Sequence, residues 1–213
     1  MLGGGLRPPL GNAAGAAAAG GLLGSILGGG RNGGGLLRVG GMGILGMLAY
    51  RAYEQWKAQQ GGAARTAPTP ATGEFAQAEA PAGNGQPFGL AVIRAMIAAA
   101  KSDGTLDERE RERIFGEAER LELDPAAKGL VFDALRAEPD PAAIAAAART
   151  DAQRAELYLA SAMVTQDGGA TSSERAYLDA LAHHLRLETG LRRTLDDQAR
   201  EAAEVARSLP ETR

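Results

Sequence analysis

A closely spaced series of helix-start signals in residues 88–213 is the feature that most restricts the fold of this chain. Each signal places an N-cap side chain before a proline or before a residue that completes a capping box. Between the signals, apolar residues recur at helical intervals. The signals are Asp124-Pro125, Asp140-Pro141, Thr150 with Gln153, and Thr171 with Glu174. The pattern predicts an all-α domain of about seven helices over residues 88–208.

The region before this domain has a different composition. Residues 1–60 are rich in Gly, Ala and Leu, and residues 61–87 form a Pro/Ala/Gly segment. A segment of that second kind buries too little apolar surface to offset the entropy lost on ordering. We therefore expect three parts: an apolar N-terminus over 1–60, a flexible linker over 61–87 and the helical domain over 88–208.

The N-terminal part contains two apolar stretches. In the first, small residues stand four apart, which would let a partner helix approach closely and allow homo-oligomers to form. These residues are Ala16, Gly20, Gly24 and Gly28. The second stretch, residues 36–56, is predicted to be a membrane helix, although its uncharged core is shorter than the ~20 residues that span a bilayer. Its aromatic residues would then form an interfacial belt. They are Tyr50, Tyr53 and Trp56.

The helical domain contains a weak internal duplication at a shift of 64 residues. Each copy has an apolar helix, an Asp-Gly pair and a capped helix, with a glutamate seven residues after the aspartate. The matched residues are Asp103 with Asp167, Gly104 with Gly168, and Glu110 with Glu174. The duplication predicts two helix–turn–helix hairpins.

The segments IRAMIAAAKSDGTLDERERERI, ELYLASAMVTQDG and ERAYLDALAHHLRL resemble the TerB-like domain of the tellurite-resistance family. With the Gly-rich N-terminus and the linker, the layout is similar to the YebE-like branch of bacterial inner-membrane proteins. The resemblance implies a helical domain on the cytoplasmic face of the inner membrane, a link to envelope or metal/oxyanion stress, and no established catalytic mechanism. The second copy departs from the pattern after its Asp-Gly pair, at residues 169–171.

The acidic residues of the two hairpins have two interpretations. As structural residues, they cap helices beside turns in which glycine takes a positive φ. As ligands, they would share one divalent cation if the hairpins meet, because calcium takes six to eight oxygen ligands. The candidate ligands are Asp103, Asp107, Glu110, Asp167 and Glu174. Lys101, which would stand at the third position of a calcium loop, is unsuited to ligation.

Charge and composition exclude several classes of function. Residues 86–213 hold 17 Arg/Lys against 23 Asp/Glu, which argues against nucleic-acid binding. The chain has no cysteine, and no phosphate loop or nucleophile elbow is present. We therefore expect a membrane-tethered interaction module with an unknown protein partner and no enzymatic activity or cofactor. The alternative is a sensor that responds to a divalent cation.

Overall fold

The computed structural model describes residues 41–60, 72–104, 125–166 and 170–208, and this part of the chain is all-α. Its seven α-helices are α1 (Gly41–Gln59), α2 (Phe88–Ala100), α3 (Pro125–Arg136), α4 (Pro141–Ala145), α5 (Asp151–Val164), α6 (Ser172–His184) and α7 (Thr189–Ser208). A short 3₁₀ turn, Thr72–Glu74, precedes α2. The predicted all-α class is confirmed.

The helix-start signals fulfil their predicted roles wherever the structure describes them. The Asp140 carboxylate accepts hydrogen bonds from the amides of Ala142 and Ala143 at the start of α4. The Thr150 hydroxyl accepts from the amide of Gln153 at the start of α5. Each cap satisfies amides that the first helical turn leaves without partners. The capped helix predicted to follow the first Asp-Gly pair lies outside the described residues.

Helix α5 is the centre of the body. It packs against α1, α2 and α7, and its residues are almost continuously buried from Ala152 to Met163. A helix that is apolar on nearly all sides must be surrounded by other elements. Helices α1, α2, α4, α6 and α7 contact α5, whereas α3 joins the body through α2, in a smaller cluster built on Leu90, Ile97 and Val131.

Helix α1 belongs to the same core, which corrects the prediction of a membrane helix over residues 36–56. Its apolar side chains recur at helical spacing and are buried against α5 and α7. They include Met42, Leu45, Ala49, Ala52, Tyr53 and Trp56. Polar residues Arg51, Glu54 and Gln55 occupy the exposed side. No helix in the described ranges has both the length and the apolarity needed to cross a bilayer.

The predicted interfacial belt is also replaced by internal packing. The rings of Tyr53 and Trp56 meet edge to face, with centroids 5.2 Å apart, inside the core. Tyr50 contacts Phe75 in the same manner at 5.6 Å. The prediction was wrong because it rested on the composition of the short uncharged run from Val39 to Tyr50. The buried residues within α1 instead follow one helical face.

Residues 72–87, which we call the strap, are ordered on the body although they were predicted to belong to the flexible linker. Phe75, Ala78 and Ala82 are buried. The carbonyls of Ala80 and Ala78 accept hydrogen bonds from the first amides of α2, those of Phe88 and Gly89, at 2.8 Å each. The strap therefore caps α2 through its backbone, which a prediction from composition does not detect. Residues 61–71 of the linker lie outside the described residues.

Candidate functional site

The first Asp-Gly pair forms the predicted turn at the end of α2. Gly104 has a φ of +85°, in the left-handed region that favours glycine. The Ser102 hydroxyl donates to the carbonyl of Ala99, and the amide of Gly104 donates to the carbonyl of Lys101. Asp103 is exposed beside this turn. The predicted positive φ of Gly104 is therefore confirmed, while the helix that would complete this hairpin lies outside the described residues.

Lys101 connects the turn to the C-terminal end of α3. Its ammonium group donates to the carbonyls of Leu135 and Ala137, at 2.7 and 2.5 Å. A cation at this position satisfies carbonyls that a helix leaves unpaired and complements the negative end of its dipole. The third position of a calcium loop is therefore occupied by a lysine, and this lysine links α2 to α3.

The start of α6 carries the predicted capping box. The Thr171 hydroxyl accepts from the amide of Glu174 at 3.1 Å, and the Glu174 carboxylate accepts from the amide of Thr171 at 2.7 Å. Both hydrogen bonds satisfy amides at the helix start. One carboxylate oxygen of Glu174 is thus engaged in capping.

Of the five predicted cation ligands, the structure describes Asp103 and Glu174. Asp107, Glu110 and Asp167 lie outside the described residues. Within the described ranges, no group of three or more His, Cys, Asp or Glu side chains is arranged to hold a metal ion. The shared cation site stays a prediction.

The helices that precede the two Asp-Gly pairs, α2 and α5, pack directly against each other. The Ser161 hydroxyl lies 3.4 Å from the carbonyl oxygen of Ala95 and donates a shorter hydrogen bond, of 2.9 Å, to the carbonyl of Leu157. Ala95 and Ser161 both stand in the C-terminal halves of their helices. These two halves are therefore in contact.

A polar network that sequence analysis did not predict joins α5, α6 and α7. The Tyr158 hydroxyl donates to Asp196 at 2.7 Å and accepts from the Arg192 side chain at 2.9 Å. Arg192 also pairs with Asp179 of α6. Burial, followed by the nearby charge of Asp196, raises the pKa of Tyr158, so the phenol stays protonated and can donate. The network fixes the relative positions of the three helices.

Glu156 is the other functional candidate that sequence analysis missed. It lies within the apolar run of α5 and is fully buried. One carboxyl oxygen accepts from the amide of Ala76 in the strap at 2.6 Å, and the other has no hydrogen-bond partner among the described residues. Burial raises the pKa of Glu156 to about 7, and the hydrogen bond from Ala76 opposes the shift. The sequence signal that could have identified this site was the single charged residue, a glutamate, within AELYLASAM.

The described residues form a small all-α protein body in which one buried helix, α5, packs among amphipathic helices. The chain belongs to the family described as Protein of unknown function (DUF533), whose model matches residues 12–199. No curated protein and no solved structure matches the chain.

Proposed function

We propose that this protein is a membrane-associated helical interaction module without enzymatic activity, attached through its N-terminal residues 8–30. The observation that carries the proposal is the position of α1. Its apolar face is used inside the body, against α5 and α7, so it is not available for a bilayer. We therefore assign the proposed attachment to the sequence before residue 41.

The sequence of residues 8–30 suits such a role. It carries no charge and is flanked by Arg7 and Arg31. This uncharged stretch meets the length of about 20 residues that a membrane-inserted helix needs. Its small residues at four-residue spacing favour close helix association within a membrane, where packing rather than the hydrophobic effect drives contact. The same stretch would support homo-oligomers.

The extent of the family match supports the view that the two parts act together. It runs from residue 12 to residue 199 and so takes in most of the uncharged stretch as well as the helical body. The resemblance to TerB-like and YebE-like proteins suggests a bacterial inner membrane with the body on its cytoplasmic face. The acidic body would then be presented to a protein partner at the membrane surface, in a stress-related setting.

Cell fractionation of the full chain and of a variant lacking residues 1–35 tests this proposal. The deletion retains all of α1, so the body keeps its core. We expect the full chain in the membrane fraction and the shortened chain outside it, with the same helical circular dichroism. A double substitution, Leu23→Asp with Leu27→Asp, should release the full-length chain in the same way, because charges in an inserted helix are costly.

The matched control is Met47→Asp with Glu54→Gln, on the outer side of α1, which should leave the distribution unchanged. Met47 is 45% exposed and contributes little to the core. Continued membrane association of the chain lacking residues 1–35 would contradict the proposal.

A further inference from the structure

The contact between Glu156 and the strap brings together a buried acid and a segment of unusual backbone. Among the described residues, Glu156 is the only buried carboxyl group. Its partner, Ala76, has a φ of +63°, a left-handed conformation that disfavours residues with a Cβ. The strap is therefore held in a costly conformation at the point where it donates to the acid.

The strap also lies unusually close to α1 at this point. A Cβ built on Gly46 would sit 2.6 Å from the amide nitrogen of Ala76 and 2.7 Å from its Cβ. Glycine at position 46 is what allows the strap to reach Glu156. The contact consequently depends on three elements: α1 below the strap, α5 beside it and the strap itself.

An ionised carboxylate is poorly stabilised in this position. It receives one amide hydrogen bond, and within the described part of the chain its second oxygen has no hydrogen-bond partner. Among the described residues, no charged group offsets this cost: burial is the largest influence on the Glu156 pKa, and the hydrogen bond from the Ala76 amide, which lowers the pKa, is the other. Titratable or charged side chains are described on α5 itself and on every element around Glu156: Asp151, Arg154 and Tyr158 of α5, Tyr50, Arg51, Tyr53, Glu54 and Lys57 of α1, Glu74 and Glu79 of the strap, Arg94 of α2, and Arg192, Arg193, Asp196, Asp197, Arg200, Glu201 and Glu204 of α7.

The geometry points to a proton-operated latch, in which the strap closes over Glu156 when the carboxyl is neutral and opens when it is ionised. Opening lets water reach the carboxylate and lets Ala76 leave its left-handed backbone conformation. It also uncovers Phe75 and the Gly46 side of α1. The latch does not depend on how the chain is attached to a membrane.

The direction of the pH dependence follows from proton linkage. The closed state binds the proton more tightly than the open state, in which the carboxyl regains its ordinary pKa of 4.5. Closure is therefore strongest below pH 4.5 and weakens up to about pH 7, beyond which it is constant. Within that window the opening equilibrium rises by about tenfold per pH unit.

Hydrogen–deuterium exchange of the purified full chain, corrected for intrinsic rates, measures the latch directly in peptides covering residues 72–80. Between pH 5 and pH 7.5 we expect protection to fall by roughly 50-fold in the wild type. Glu156→Gln should keep high protection at both values, because the amide oxygen still accepts from Ala76 and carries no charge. Glu54→Gln, an exposed change on α1, should behave as the wild type.

A second pair of variants, both in α1, tests the contact between the strap and α1 without changing the acid. Gly46→Ala should leave residues 72–80 unprotected at every pH, since its Cβ occupies the place of Ala76. Gly43→Ala, whose Cβ would meet nothing within 4 Å, should leave the wild-type profile unchanged. Protection that does not vary with pH in the wild type would overturn the latch. So would an unaltered pH profile in Glu156→Gln, or a parallel loss of protection in α5 and α6, which indicates global unfolding.

Discussion

Trp56 of α1 lies directly against Gly190 in the first turn of α7. A Cβ built on Gly190 would stand 2.8 Å from both Cδ1 and Nε1 of the indole. The indole is 8% exposed, and its N–H is buried with no hydrogen-bond partner in the ranges that the structure describes. Gly46 forms a similar tight contact with the strap, so α1 is closely fitted to its neighbours at two separate points.

Gly190→Ala should therefore destabilise the protein even though alanine favours helices. The added methyl group displaces Trp56, and overpacking of this kind costs about 1–3 kcal/mol. Gly129→Ala in α3 is the matched control, because its Cβ meets no atom of the described residues within 4 Å, and it should stabilise by about 0.5–1 kcal/mol. Urea unfolding followed by circular dichroism measures both changes. Equal stability of the two variants would contradict the contact.

Gly104→Val tests the turn after α2. Valine is strongly disfavoured at a φ of +85°, so we expect a loss of about 1–3 kcal/mol in the free energy of unfolding. Gly129→Val introduces the same side chain at open space in a helix and should not destabilise the chain. A thermal melt of each variant distinguishes them. An unchanged melting temperature for Gly104→Val would show that the turn has another conformation.

Because the pKa of Glu156 is raised, Glu156→Gln should increase the free energy of unfolding, and the increase should depend on pH. The folded-state pKa of about 7 exceeds the ordinary value of 4.5, so the stability associated with the neutral acid is complete below pH 4.5. It is lost as the pH rises to about 7. At pH 8 the variant should be more stable than the wild type by up to about 3 kcal/mol, and the difference should shrink towards pH 4.5. Urea unfolding at several pH values measures it, and a difference that grows at low pH would contradict the assignment.

Melting curves with and without millimolar calcium or magnesium decide between the two interpretations of the Asp-Gly hairpins. We expect no cation-dependent rise, because Lys101 binds the end of α3 and Glu174 serves a cap. Glu174→Gln should then cost little, since glutamine can also complete a capping box. A rise of several degrees in the wild type that disappears in Asp103→Asn and Glu110→Gln would establish a cation site.

The helices of the body were largely predictable because their start signals are local. Asp140, Thr150 and Thr171 act through hydrogen bonds to amides two or three residues away, so their sequence spacing is sufficient. Gly104 was predictable for the same reason, as a turn glycine after an apolar helix. Caps and turns depend little on the rest of the fold.

The role of α1 and the strap was not predictable in this way, because it rests on contacts between distant residues. In the sequence, Gly46 is one glycine among many, and its role comes from its contact with Ala76. The role of Gly190 comes in the same way from its contact with Trp56. Glu156 likewise gains its properties from an amide 80 positions away. Composition alone therefore assigned α1 to a membrane and the strap to a flexible linker.

The fluorescence of Trp56, the single tryptophan of the chain, tests most directly whether α1 belongs to the helical body. The full chain is mixed with vesicles that contain lipids brominated along their acyl chains. If α1 is packed on α7, the emission should be that of a buried indole. Brominated lipid should not quench this emission, and acrylamide should quench it only after the protein has been unfolded in urea. Strong quenching of the folded protein by brominated lipid would place Trp56 in the bilayer and contradict the account.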